Sequence, residues 1–256
     1  MPHVYTYATH KEGFFNSLMD SYDNVGITPV VKGMGHEWKG FVERHRELLK
    51  FMETLGDDDI IVNIDGFDTI VLCPLDEIIR RFTSMGCEAL FSMTADNGGI
   101  GNKYIQWKLG FSGTKANAGM FMGYVSKLRE IIGTLLKSNH SDDQMVINTF
   151  IHEDPDIKID TERMIFCNIT TLKYTDVIDG TFYYGDKQPC LLSAPGCVNI
   201  NPILEQLGIQ TSMYTCNAMG RIKGYYKYFI IEIIVVLFLI YMLLRNMKKV
   251  QRRRVA

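Results

Sequence analysis

An α/β fold with a mostly parallel sheet is what this chain predicts, on three observations. Strand-like and helix-period segments alternate from His3 to Phe150. The apolar run Ile60-Ile61-Val62-Asn63-Ile64 ends abruptly in two acids, Asp65 and Asp68, as a buried strand does when it delivers ligands at its C-terminal tip. A length of 256 residues, 46% hydrophobic and 22% charged, suffices to close a full core as one large domain or two small ones. Such alternation sets helices against the faces of the sheet and gathers functional side chains at the strand C-termini, where both acids fall.

The elements follow in order. His3 to Thr9 reads as a strand, Lys11 to Val25 as a helix and Ile27 to Lys32 as a second strand. Residues 33–40, Gly-Met-Gly-His-Glu-Trp-Lys-Gly, form a glycine-punctuated loop before a helical stretch that runs through Leu55. The Ile60 to Ile64 strand comes next, then a helix to Phe82 that Pro74 opens as its first residue. Glu88 to Thr94 is a strand, and Asp96 to Ala116 is a long excursion rich in Gly and Asn. Ala118 to Tyr124 reads as a strand, with helices over Val125 to Lys137 and Asp142 to Phe150. Beyond Asp156 the segments shorten, as in an appended antiparallel portion, and no internal repeat is evident.

The C-terminal part differs in kind. From Tyr228 to Leu244 the chain is almost wholly apolar, broken by Glu232, and Arg245, Lys248, Lys249, Arg252, Arg253 and Arg254 crowd the end. Seventeen residues without a polar face, flanked by tyrosines and basic residues, predict a single membrane-spanning helix at 228–244 rather than a buried core helix. It would follow a body at 1–210 and a linker at 211–227, and precede a basic tail at 245–256.

The first residues lack a basic segment followed by a long apolar one, so no signal peptide is read and the body is expected to be cytosolic. The basic tail would then have to cross the membrane against the positive-inside tendency; the two arguments conflict, and the missing signal peptide is given the greater weight. Six scattered cysteines without a C-x-x-C pair point to free thiols rather than disulfides or a zinc site. The formal charge of -2 gives no reason to expect nucleic acid as a partner. No G-x-S-x-G elbow or Ser-His-Asp order supports a hydrolase.

An isolated D-x-x-D is adequately read as a solvated turn, but here four motifs stand in a specific order. They are Gly35-His36-Glu37-Trp38-Lys39-Gly40, Ile64-Asp65-Gly66-Phe67-Asp68, Asn117-Ala118-Gly119 leading to Tyr124, and Asp142-Asp143-Gln144. Together they resemble the glycosyltransferase domain of procollagen lysyl hydroxylases and related collagen-type sugar transferases, from about Val4 to about Gly208. The resemblance implies a GT-A-like nucleotide-diphospho-sugar transferase sandwich, a UDP-sugar donor and a divalent ion, usually manganese.

Carried over by position, the resemblance makes Asp65 and Asp68 metal ligands. It puts Thr6 near the nucleotide, Trp38 stacked on it, and Phe67 where relatives often have tyrosine. Asn117 falls in a turn of small residues that approaches the sugar, although Asn117-Ala118-Gly119 also reads as an ordinary strand start. Asp142 and Asp143 face the donor sugar or acceptor as candidate catalytic acids, or act as a helix cap and first-turn acid. Trp38 also fits loop packing, and Arg44, His45 and Arg46 offer either a phosphate contact or a solvated helix face.

Two departures stand out. Ser193 occupies the position at which relatives carry a metal-binding histidine, and a neutral hydroxyl is the poorer ligand. The 96–116 excursion contains Trp107 but lacks the family's Cys-Trp-Pro element. The expected function is a membrane-anchored, metal-dependent hexosyltransferase acting on a hydroxyl of a collagen-like hydroxylysine or a glycan. The alternative is a weakened homologue that binds UDP-sugar or tethers a partner at the membrane.

Overall fold

The structure, a computed structural model, describes residues 1–94, 115–138, 142–196 and 198–213, and residues 234, 236–238 and 240–242 near the C-terminus. Residues 1–215 form one compact unit and residues 216–256 another.

In the first unit, strand β1 (Pro2–Tyr7) sets the layering, because successive side chains leave a strand on opposite faces. Tyr5 and Tyr7 enter one core together with Ile61; Val4 enters the other with Val62 and Ile64. Ile61, Val62 and Ile64 belong to β3 (Ile60–Asp65), which runs parallel to β1 with Tyr7 opposite Asp65. Helix α1 (Phe15–Asn24) and helix α3 (Leu75–Ser84) cover the Val4 face through Leu18, Tyr22, Ile78 and Phe82. Helix α2 (Phe41–Met52), α4 (Val125–Lys137) and α5 (Asp143–Phe150) cover the Tyr5 face through Leu48, Met52, Leu128, Ile132 and Ile147. The result is a helix–sheet–helix sandwich in which β1 and β3 are buried on both faces.

The central sheet has the order β2-β1-β3-β6-β5-β7, with β2 at Val30–Lys32, β5 at Ala89–Met93, β6 at Ala116–Tyr124 and β7 at Ile157–Asp160. Three of its five pairings are parallel, and β6 runs antiparallel to both neighbours. The mostly parallel α/β reading therefore holds. A register shift at Phe91/Ser92 marks a bulge in β5 beside β6.

Beyond β3 the chain leaves the central sheet. Gly66 makes the corner possible: a Cβ there would lie 2.9 Å from both the Tyr7 carbonyl oxygen and the Ala8 Cβ. Strand β4 (Thr69–Val71) then joins a small sheet of order β4-β11-β8, with β8 at Phe166–Asn168 and β11 at Leu191–Ser193. Ser193 pairs with Thr69 in the β11/β4 register, and the Ala194 amide donates to the Asp68 carbonyl at 2.8 Å. This is how residues 125 positions apart in the sequence meet. A hairpin of β9 (Thr175–Ile178) and β10 (Thr181–Tyr184) and the short helix α6 (Asn201–Gln206) complete the unit.

Several boundaries differ from expectation. The predicted Lys11 to Val25 helix starts only at Phe15, because the intervening residues turn at Gly13, whose φ of 56° an L side chain resists. Pro74 caps α3 from outside the helix rather than opening it from within. The segment beyond Asp156 is not wholly antiparallel: β7 adds to the central sheet parallel to β5, and β8 pairs in parallel with β11. The 96–116 excursion, Trp107 included, lies outside the described residues except for its last two positions.

Of the predicted span at 228–244, the described residues are helical, and Ile234, Val236, Leu237, Phe238, Ile240 and Tyr241 are exposed. No helix among the described residues is long and apolar enough to cross a membrane, so they do not support the predicted transmembrane helix. The rest of that segment, most of the linker and the basic tail lie outside the described residues.

Candidate functional site

Two adjoining clefts open at the C-terminal ends of β1 and β3. The first, of about 290 Å³, is lined by aromatic rings: Tyr7, Trp38, Phe41 and Phe67, with His10 and Glu12 at the edge. Trp38, 41% exposed, meets Phe41 edge to face at 5.5 Å and leans on Tyr7 at 6.2 Å. Its exposure leaves a ring face open to the cleft.

The second cleft, of about 260 Å³, is polar and is lined by Asp68, Asn117, Asp142, Asp143, Gln144 and Ser193. Phe41, Arg44 and Asp65 line both clefts. Asp65, at the tip of β3, has one carboxylate oxygen on the Phe67 amide at 3.1 Å and the other on Arg44 Nη1 at 2.9 Å. Asp68 accepts from Ser193 at 3.1 Å and from Thr69 at 3.2 Å. Burial and the neighbouring Asp65 charge push its carboxyl up to about 7, against the pull of those hydroxyls and of Arg44.

Arg44 ties the site together. Its guanidinium donates to Asp65, to Asp143 Oδ2 through Nη2 at 2.6 Å and Nε at 3.2 Å, and to the Ala118 carbonyl at 3.1 Å. His45, fully buried, places Nε2 2.8 Å from the same Asp143 oxygen. Burial lowers the His45 pKa below its ordinary value, so the neutral ring donates from Nε2 and leaves Nδ1, which has no partner among the described residues, as a bare lone pair. Burial pushes Asp143 the other way, but the His45 hydrogen bond and the Arg44 charge outweigh it and hold the carboxyl well below the usual carboxylate range. Asp143 is thus a fixed anion, poorly suited to taking a proton.

Asp142 is the N-cap of α5, accepting from the Met145 amide at 2.9 Å, and it is exposed on the polar cleft. Capping and a site position coexist in it. Asn117 Oδ1 accepts from the Gly119 amide at 2.7 Å, and its amide nitrogen donates to Gln144 at 3.3 Å, so the small-residue turn and α5 are coupled across the cleft.

Seven of the residues singled out from sequence, Trp38, Phe67, Asp65, Asp68, Asn117, Asp142 and Asp143, line these two clefts. Thr6 does not. It is fully buried and its hydroxyl lies 2.8 Å from the Tyr22 hydroxyl on α1, so strand alternation turns it away from both clefts and offers the neighbouring Tyr7 instead. Of the two readings offered for Arg44 and His45, the solvated helix face does not hold, because His45 is buried and Arg44 half-buried against Asp143, a pairing not foreseen from sequence. A signal was there: His45, Leu48 and Met52 follow helical spacing on the buried face of α2, and a charged or titratable side chain in such a stripe needs a buried partner.

The oxygen donors available to a cation are Asp65, Asp68 and the Ser193 hydroxyl; no group of three His, Cys, Asp or Glu poised for a metal occurs among the described residues. Three carboxylates, Asp65, Asp68 and Asp143, stand against one guanidinium, an excess of negative charge that a hard divalent ion offsets. These residues therefore fit such an ion if a bound diphosphate completes its ligands.

The family model described as "PLOD GT domain" matches residues 2–180. The chain is 25% identical over 185 residues to the multifunctional procollagen lysine hydroxylase and glycosyltransferase LH3 of Rattus norvegicus and to that of Homo sapiens, covering 65% of this chain and 25% of each relative. It is 24% identical over 182 residues to the procollagen-lysine,2-oxoglutarate 5-dioxygenase of Drosophila melanogaster, with the same coverage. The chain thus spans about a quarter of the length of these curated relatives. Among solved structures, a glycosyltransferase involved in the glycosylation of the major capsid of PBCV-1 shares the fold with a TM-score of 0.50 and 9% identity, over 81% of this chain and 99% of that one.

Proposed function

The chain belongs to the PLOD GT domain family and so carries a glycosyltransferase domain, and from that premise we propose that it moves a hexose from a UDP-sugar to a hydroxyl acceptor at the junction of the two clefts. The observation that carries this reading is Asp65 and Arg44 lining an aromatic cleft and a polar cleft at once. Such a junction suits a diphosphate whose base lies on one side and whose sugar lies on the other.

Trp38 and Phe67 take the flat faces of the uracil, and the apolar walls exclude water from the stack. Asp65 and Asp68 hold the cation, for which manganese is the first candidate, assisted by the Ser193 hydroxyl. When bound, that ion supplies Lewis-acid stabilisation of the leaving diphosphate. Asn117, fixed by Gly119 and Gln144, presents small-residue backbone to the sugar. Asp142, exposed on the polar cleft, faces the sugar and acceptor hydroxyls. An acceptor of the hydroxylysine or glycan kind accords with the collagen-modifying names of the relatives. The apolar run at 228–244 would anchor the chain in a membrane, which selective extraction by detergent against carbonate tests.

A second reading is favoured by one observation: two carboxylates and the Ser193 hydroxyl are the donors offered to the cation, with no group of three His, Cys, Asp or Glu poised for a metal among the described residues. A protein that binds UDP-sugar without efficient turnover would result. One experiment separates the two. The full chain is incubated with a panel of UDP-hexoses, with and without manganese, and UDP release and transfer to hydroxylysine peptides and glycans are measured. Turnover lost at least a hundredfold in Asp65→Asn and Asp68→Asn supports the transferase. UDP-sugar binding without turnover supports the second reading, and no binding of any sugar nucleotide with any divalent ion ends both.

A further inference from the structure

Resting on the cation and UDP-sugar reading above, we propose that Arg44 is a resident counter-charge for Asp65, which the incoming cation and diphosphate must displace together, so that the ion binds well only with the nucleotide. Arg44 is then a positioning residue that makes donor loading a concerted exchange.

The geometry carries this. Arg44 is 13% exposed, and its hydrogen bonds go to Asp65 at the tip of β3, Asp143 at the start of α5 and the Ala118 carbonyl in β6, while its guanidinium lies 5.4 Å from the Phe41 ring centre. Asp65 is one of the two carboxylates available to the cation, and its Oδ2 is the atom that Arg44 Nη1 touches at 2.9 Å. A divalent ion arriving alone at either Asp65 oxygen comes within a few ångströms of the guanidinium bound to Oδ2, and like charges at such range in a partly buried site repel strongly.

The guanidinium cannot simply retreat into water, since Nη2 and Nε are held by an Asp143 that His45 holds from the other side. It can, however, rotate Nη1 from Asp65 to a diphosphate oxygen, because Arg44 lines both clefts and its remaining bonds act as a pivot. The diphosphate then takes the hydrogen bond that Asp65 releases, and the cation takes the Asp65 oxygen. Each ligand removes the obstacle to the other, which is positive coupling between two binding events. No covalent bond changes.

The test measures Mn2+ binding to the full chain by the loss of the free-ion electron paramagnetic resonance signal, with MnCl2 alone and again with saturating UDP. For the native chain, Mn2+ alone binds weakly and UDP tightens it by at least tenfold. In Arg44→Gln the ion alone binds at least tenfold more tightly than to the native chain, and the gain from UDP shrinks. An unchanged or weaker affinity for Mn2+ alone in a variant with native circular dichroism overturns the proposal. So does a native chain that binds Mn2+ equally well with and without UDP, a measurement that needs no variant to fold. Absence of Mn2+ and UDP binding in both proteins also overturns it, and that result additionally removes the cation and UDP-sugar reading; the other failures leave that reading standing.

Discussion

The Ser193 hydroxyl donates to Asp68 Oδ1 at 3.1 Å, across the ladder between β11 and β4. That bond favours the ionised carboxyl, yet burial and the Asp65 charge prevail and leave Asp68 with a pKa of about 7. A cation needs the carboxylate, so below pH 7 it must expel a proton to bind. Mn2+ affinity, titrated by calorimetry with UDP present, is therefore expected to fall by about tenfold per pH unit below 7 and to level off above it. Ser193→Ala removes a donor to the ionised form and moves the midpoint upward. A flat profile from pH 5 to 8 would show that Asp68 is not a ligand.

Trp38 stands 41% exposed in the aromatic cleft with few structural obligations. If a nucleobase stacks on it, Trp38→Ala costs about 1–3 kcal/mol of UDP binding, about 5- to 150-fold in Kd. Folding stability should move by no more than about 0.5 kcal/mol. Equal losses of affinity and stability would assign the ring to loop packing instead.

The Arg44–Asp143–His45 cluster gives the fold an acid limit. Asp143 has a depressed pKa, so its contribution is present above the unfolded value of about 3.9 and is lost as pH falls below it. His45 is also depressed: the unfolded chain takes up its proton near pH 6.5, before the buried ring does, and stability declines in the same direction from there. The difference in unfolding free energy between the native chain and Asp143→Asn should accordingly be greatest near pH 7 and shrink below about pH 4. Urea unfolding at pH 7, 5 and 3.5 measures it; a difference that grows on acidification contradicts the ion-pair account.

How much of this was legible in the sequence follows from what each signal encodes. Periodicity located β1, β3, α2 and α4 because each buries a face and writes that face into the chain. The cleft position of Asp65 and Asp68 was legible because acids that end an apolar strand lie at its C-terminal tip, where the clefts of such a sheet open. Thr6 was misplaced because a motif fixes the residue, whereas the pleat decides which way it points; Tyr22 on α1 decided it here. The meeting of Ser193 with Asp68, and of Arg44 with Asp143, depends on pairings 125 and 99 residues apart, which no local pattern records. The parallel placement of β7 was lost for the same reason, since four residues of strand carry no information on their neighbour.

Glycine supplies a last pair of tests with opposite signs. At Gly66 an added Cβ would meet the Tyr7 carbonyl oxygen and the Ala8 Cβ at 2.9 Å and the Thr6 Cγ2 at 3.3 Å, all on the neighbouring strand β1 or just past it. Two of those atoms cannot rotate away, so Gly66→Ala must push the β3–β4 corner outward, at about 1–3 kcal/mol. The corner carries Asp65 on one side and Asp68 on the other, so cation binding should weaken along with stability. Gly133 lies inside α4, where an added Cβ meets nothing within 4 Å, and Gly133→Ala should stabilise by about 0.5–1 kcal/mol through helix propensity alone. Thermal unfolding followed by circular dichroism compares them, at about 2–4 °C per kcal/mol for a chain of this size. A Gly66→Ala protein that melts with the native chain and binds Mn2+ equally well would mean that the approach of β3 to β1 does not set the spacing of the two acids.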